Sequence, residues 1–246
     1  MDPAVLRDDM VASLEHESKR VLESEALSVA FRTVPREAFV PDGHSAYADR
    51  PFERHGTRIL APSTVARLLE ALDPREGDSV LVVGAGVGYT AAVCAELVGG
   101  HNVHAVDIAR RLVWEARENL DCAGYGSVLV DRRNGDRGLP EYAPFDRVLL
   151  EAAAVRPPDA LLRQLAPDGR LVMPMGLGEQ SLVTISGDES VERHGTVAFA
   201  PMLVESERTD TVEHNRTARE DREFAERDAE RRRGWEHDWI DWDQYR

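Results

Sequence analysis

Three glycines at alternate positions, Gly84, Gly86 and Gly88, follow the apolar run SVLVV of residues 79–83 and open the segment YTAAVCAELV. Glycines after a strand let the backbone turn sharply and let a ligand approach it, with the N-terminus of the next helix close by. A second apolar run, VHAVD, ends in Asp107, whose carboxylate can accept hydrogen bonds from sugar hydroxyls. The dinucleotide fingerprint needs its third glycine at position 89, which is Tyr89, and no second catalytic motif supports a nicotinamide oxidoreductase. The G-x-G-x-G spacing with an acid closing the next strand suits S-adenosylmethionine, with Gly84, Ala85, Gly86, Gly88 and Asp107 holding it. A plainer reading also stands, in which the glycines only make a tight turn and Asp107 caps the helix that starts near Arg110.

The elements that must position these residues alternate. Residues 79–83, 103–107, 127–131, 145–153 and 170–175 read as strands, with helices after the glycine turn, over ARRLVWEARENLDCAGY, and within LLRQLAPDGR. Two late strands are expected at 181–186 and around 196–204. Alternation of this kind implies a doubly wound, mostly parallel α/β sheet with its ligand at the carboxyl ends of the strands. Ahead of it, residues 3–32 have helical periodicity, with Val5, Met10, Leu14, Val21, Leu22, Leu27, Val29 and Phe31 as the apolar positions. Ser63 reads as the cap of a helix that runs to Leu72.

Composition excludes several classes. The chain has 246 residues with 45 acids against 30 bases, a net charge of -15, and Lys19 is its only lysine. Such a surface repels phosphate backbones and anionic lipid, so neither nucleic acid nor a membrane is an expected partner. It matches a protein from a salt-rich cytoplasm. Cys94 and Cys122 can build neither a disulfide framework nor a zinc site unaided, and the first residues contain no apolar core of a signal peptide. His101 and His104 form an H-x-x-H without further Cys or His nearby, which favours a surface turn over a metal. No metal is expected.

Several stretches together resemble the protein-L-isoaspartate O-methyltransferase family. They are VPREAFVP, AYADRP, ILAPSTVARLLEAL, VLVVGAGVGYTAAVCAEL, NGDRGLPEYAPFDRV, LLRQLAPDGRLVMPMG and FAPML, in the family's order from about residue 5 to 204. The resemblance implies a Rossmann-like S-adenosylmethionine-dependent methyltransferase fold with N-terminal helices. It also implies methyl transfer from S-adenosylmethionine to the free α-carboxylate of an L-isoaspartyl residue in a protein or peptide. Asn134 and Gly135 then join the cofactor set, with Asn134 where the family has Asp.

Other family positions are substituted. The acceptor loop reads Thr57, Arg58, Ile59, Leu60, with Leu60 at the family's active-site Ser, so the catalytic residues stay unassigned and Arg58 becomes the candidate to bind the substrate carboxylate. Val82 stands where the family has an acid two places before the first glycine, and Glu151 where it has Thr before Ala-Ala. Two functional readings follow. One is a working methyltransferase with a remodelled loop. The other is a degenerate member that keeps the fold and cofactor binding and acts as a binding or regulatory protein.

The methyltransferase domain is expected over 1–204 and a charged extension over 205–246, where 14 acids face 9 bases. Trp235, Trp239 and Trp242 share one helical face near its end, as a docking segment for a partner or second subunit, or as a cover for the chain's own domain. The chain is expected to be a monomer, or a homodimer through this extension.

Overall fold

The structure, a computed structural model, describes residues 2–41, 43, 45–176, 178–187 and 190–203. The 205–246 extension, its boundary and its tryptophan stripe lie outside the described residues. The N-terminal stretch forms two helices, α1 (Pro3–Glu15) and α2 (Glu25–Thr33). Each starts on a polar cap, Asp2 accepting from the Ala4 amide at 2.9 Å and Ser24 from that of Leu27 at 3.4 Å. Met10, Leu14, Leu27 and Phe31 are buried as expected, whereas Val5 and Val29 are 49% and 55% exposed. Val5 stands on the opposite side of α1 from Leu14, and Val29 on the opposite side of α2 from Leu27 and Phe31, so the apolar faces of the two helices leave them out.

A hairpin follows, β1 (Phe52–Arg54) with β2 (Thr57–Ile59), and then α3 (Pro62–Leu72). Ala61, not Ser63, holds the cap of α3. Pro62 fits the first turn, and the Ser63 amide donates to Asp49 Oδ1 at 3.0 Å. The remaining elements are β3 (Val80–Val83), α4 (Tyr89–Val98), β4 (Val103–Asp107), α5 (Arg110–Cys122), β5 (Leu129–Arg132), β6 (Phe145–Leu150), α6 (Asp159–Leu162), β7 (Leu165–Met175), β8 (Gln180–Ser186) and β9 (Val191–Val197).

The main sheet has the order β5-β4-β3-β6-β7-β8-β9. Its first five strands are mutually parallel, β8 runs antiparallel to β7, and β9 antiparallel to β8. This is the doubly wound Rossmann-like α/β fold, and the strand order reverses between β3 and β6. β7 begins earlier than sequence suggests, at Leu165, because a register shift against β6 between Phe145 and Arg147 absorbs residues expected in a turn. The last strand is also earlier than expected. Ile185 already pairs with Val191, and Thr184 meets His194 at 2.7 Å, which places the pairing before residue 198.

Val80 and Val82 face one core with residues of α1 to α5, and Leu81 and Val83 face a second core with Leu139 and Leu161. Among the described residues no helix is long and apolar enough to cross a membrane.

One buried cation joins three separate segments of the first core. Arg36, in a 3-10 turn after α2, has 0% exposure. Its Nε donates to the Ala46 carbonyl at 2.8 Å and its Nη2 to the Leu60 carbonyl at 2.6 Å, while the guanidinium lies 4.5 Å from the Tyr89 ring centre. Phe31 and Phe39 meet the same ring edge-on at 6.3 and 5.7 Å. Tyr89, which breaks the dinucleotide fingerprint, is thus the ring against which α2 and the turn after it pack. Replacing Arg36 by leucine strands two buried carbonyls, each at about 1–3 kcal/mol. We expect thermal unfolding to show a loss of about 3–5 kcal/mol, and Arg36→Lys not to restore it, because an ammonium lacks the planar fork.

Candidate active site

The glycine turn is fixed to β4 by its own backbone. The amides of Gly84 and Ala85 both donate to the Val106 carbonyl, at 2.8 and 3.0 Å. Gly84, Gly86 and Gly88 have φ of 94°, 52° and 93°, a region that side chains disfavour. At Gly88 a Cβ would also stand 3.2 Å from Leu120 and 3.3 Å from the Ala116 carbonyl, so the approach of α5 excludes a side chain there.

Asp107 closes β4 and does part of what each sequence reading asked. Its Oδ2 accepts from the Gly86 amide at 3.0 Å and its Oδ1 from the Ala109 amide at 2.8 Å. The carboxylate therefore shapes the turn and tethers the chain entering α5.

The neighbouring strand ends converge here. The Arg133 amide donates to the Asp107 carbonyl at 3.0 Å, which carries Asn134 and Gly135 to the rim. A Cβ on Gly135 would lie 2.4 Å from Val83 Cγ1, so this glycine is required by contact with β3. At the end of β6 the Glu151 amide donates to the Val83 carbonyl at 2.8 Å, and the Glu151 Cβ would meet a Cβ on Gly84 at 3.4 Å. FAPML, expected within a late strand, instead runs beside this edge. Ala153 and Met202 are linked there, the Met202 amide donating to the Ala153 carbonyl at 2.8 Å.

Three side-chain oxygens on this rim are buried without a hydrogen-bond partner among the described residues: Asn134 Oδ1, Asp136 Oδ1 and Glu151 Oε1. Buried acceptors are ordinarily paired, so this row is matched to a ligand that brings donors. Burial pushes the Glu151 carboxyl up to about 7, the Asp107 charge adding to the rise and a hydrogen bond from Thr90 opposing it. Asp136 and Thr90 went unnoticed in the sequence, although Asp136 directly follows Asn134 and Gly135.

The acceptor hairpin sits farther out. Glu115 of α5 holds its turn, with Arg54 Nε at 2.6 Å and His55 Nε2 at 2.8 Å from the carboxylate. Thr57 is half-buried, Arg58 is exposed and paired in register with Glu53, Ile59 is buried, and Leu60 is half-buried. Arg58 thus stands on the solvent side of the hairpin. The Leu60 carbonyl, through Arg36 and Tyr89, connects the loop to the residue after Gly88. Arg36 was missed as a site residue, although it lies in the quoted VPREAFVP.

His101 is exposed in its turn, but His104 lies on β4 with its ring centre 4.4 Å from Tyr142 and 5.8 Å from Phe145, so the surface-turn reading fails for it. Cys94 is a buried residue of α4, as expected. Arg132 is exposed, whereas Arg133 pairs with Glu141 at 2.6 Å.

The elevated Glu151 carboxyl carries a stability cost. Ionising it in the folded chain costs up to about 3 kcal/mol more than in the unfolded chain. That stability is intact below the ordinary glutamate range and is lost as pH rises through about 7. Glu151→Gln is therefore expected to raise the thermal midpoint of the ligand-free protein by several degrees at about pH 8 and to change it little at about pH 4, read by calorimetry.

Comparison with known proteins agrees with this geometry. The profile of the family described as Protein-L-isoaspartate(D-aspartate) O-methyltransferase matches residues 7–207. The chain is 44% identical to the protein-L-isoaspartate O-methyltransferase of Aeropyrum pernix, over 76% of this chain and 74% of that one. It is 45% identical to that of Methanothrix thermoacetophila, over 76% and 92%. A solved structure from Plasmodium falciparum, described as a putative protein-L-isoaspartate O-methyltransferase in complex with S-adenosyl-L-homocysteine, superposes with a TM-score of 0.71. It covers 80% of this chain and 98% of that chain at 21% identity, a likeness of fold. With the glycine turn, its acidic partner and the strand order all in place, the chain belongs to the protein-L-isoaspartate O-methyltransferase family and is an S-adenosylmethionine-dependent methyltransferase.

Proposed function

We propose that this chain methylates the free α-carboxylate of L-isoaspartyl residues in proteins and peptides, the first step in repairing that lesion. The observation that carries the reading is the row of unpaired buried acceptors around the glycine turn, joined through Arg36 to the acceptor hairpin. S-adenosylmethionine fits this row, since it brings hydroxyl and amino donors and supplies the methyl group when bound. Asp107 accepts from the ribose hydroxyls and Asn134 from the adenine amino group. Gly84, Ala85, Gly86, Gly88 and Gly135 provide close approach more than amide donors, because the amides of Gly84, Ala85, Gly86 and Gly88 are already used.

An isoaspartyl carboxylate is ionised at neutral pH, so the chain needs no general base. Its residues must hold that carboxylate in line and exclude competing water. The half-buried Thr57 hydroxyl and the Arg58 guanidinium offer the polar contacts that Leu60 lacks. Arg58 swings from the hairpin's exposed edge to a substrate that arrives from solvent, while Ile59 and Leu60 present an apolar wall.

The test is methyl transfer to an isoaspartyl peptide and its aspartyl twin. Turnover of the isoaspartyl form alone is expected, and binding of S-adenosylmethionine without turnover would end the reading. Arg58→Ala should raise KM for the peptide by about tenfold or more with cofactor affinity unchanged, the range for a lost charge-assisted hydrogen bond.

The acidic, nearly lysine-free composition supports work in a salt-rich cytoplasm. If so, raising KCl from about 0.1 M to about 2 M should raise the unfolding midpoint by screening self-repulsion, and an unchanged midpoint would remove the support. We take the chain to be a monomer, or a homodimer through the 205–246 extension beyond the 1–204 domain, which sedimentation distinguishes.

A further inference from the structure

We propose that the Glu151 carboxylate is the counter-charge for the cationic methionine end of S-adenosylmethionine, placed on β6 where β3 offers only Val82. The inference rests on the family's cofactor and is independent of the methyl acceptor.

Val82 and Leu149 are register partners whose side chains share one core, and two residues further on the same face stand Gly84 and Glu151. The Glu151 Cβ lies directly beside Gly84, within van der Waals reach of where a Cβ there would stand, 3.4 Å away. The carboxyl therefore lies at the strand-order reversal, beside the first glycine. One of its oxygens, Oε1, is buried and unpaired.

The titratable groups that act on it are Asp107 at the end of β4 and Cys94 on α4, and neither is a cation. Thr90, at the start of α4, contributes a hydroxyl. A carboxylate among an acid, a thiol and a hydroxyl lacks a positive partner from those groups. S-adenosylmethionine carries two positive centres, an ammonium and a sulfonium, both in its methionine half. A ligand that supplies the cation converts a costly buried acid into an anchor. Burial keeps the free carboxyl partly protonated near neutral pH, so engagement of the cation expels a proton.

Calorimetric titration of the full chain tests this with three ligands: S-adenosylmethionine, S-adenosylhomocysteine, which lacks the sulfonium charge, and 5′-methylthioadenosine, which lacks both charges. Glu151→Gln and Glu151→Thr should each weaken S-adenosylmethionine by about tenfold or more and leave methylthioadenosine unchanged. An equal loss for the homocysteine ligand assigns the contact to the ammonium, and a loss confined to S-adenosylmethionine assigns it to the sulfonium. The wild-type advantage over Glu151→Gln should grow about tenfold between pH 6 and pH 8, a ratio in which titration of the ligand's own amino group cancels. Unchanged affinity for S-adenosylmethionine, an equal loss for methylthioadenosine, or a pH-independent ratio overturns the proposal. Should both variants fail to fold, the wild type decides. Titration near pH 7 in two buffers of different ionisation heat should show release of about half a proton, and no release overturns it.

Discussion

β3 is buried on both faces and lies between two parallel neighbours, so the first point at which its backbone can meet a polar ligand is the turn at Gly84. Strands β3 to β5 build out to one side of that point and β6 and β7 to the other. Every polar group assigned to the cofactor stands at an end of these strands. Asp107 closes β4, Asn134 follows β5, and Glu151 follows β6. The spacing of the strands sets the spacing of the groups, and the glycines keep the space between them open.

The second half of the site depends on a different kind of contact. The acceptor hairpin belongs neither to the sheet nor to the helices that pack on it. Two charged links hold it, Glu115 at its turn and Arg36 at its end. Arg36 is the stronger constraint, because a guanidinium removed from water draws carbonyls to its Nε and Nη2, although its Nη1 finds no hydrogen-bond partner among the described residues. Those carbonyls belong to Ala46 and Leu60, far apart in sequence, and the guanidinium rests on Tyr89, the first residue of the helix after the glycine turn. Arg36 thereby ties the acceptor loop directly to the start of the helix that follows the cofactor turn. Methyl transfer depends on the alignment of two substrates, so a rigid link of this kind governs rate more directly than an acid or base would.

Glu151 shows the tension between stability and function at such a place. A buried carboxyl beside another acid destabilises the empty protein as it ionises, yet it is suited to a ligand that brings positive charge. The Leu60 side chain packs partly into the first core, so polar contact with a substrate at this loop falls to its neighbours Thr57 and Arg58.

The local features were legible in the sequence because their physics is local. The glycine turn, the acid that ends β4, the buried run of β3 and the alternation of strands and helices each arise within a few consecutive residues. The motif order along the chain was enough for the family. Boundaries went astray where distant pairing decides them, as at β7 and β9, and the α3 cap was misplaced because its external acceptor is Asp49. Sequence alone determined the glycine turn, its acidic partner Asp107 and the substituted positions of the acceptor loop, but not Arg36, Thr90 or Asp136. Only the tertiary structure decided that Asp107 ties the glycine turn to the start of α5, that Arg58 faces solvent, that Arg36 links the acceptor loop to Tyr89, and that Glu151 is left with an unpaired buried oxygen. Burial, which turns a guanidinium into a clamp and a glutamate into an unpaired acid, depends on segments remote in the chain and leaves no local pattern to read.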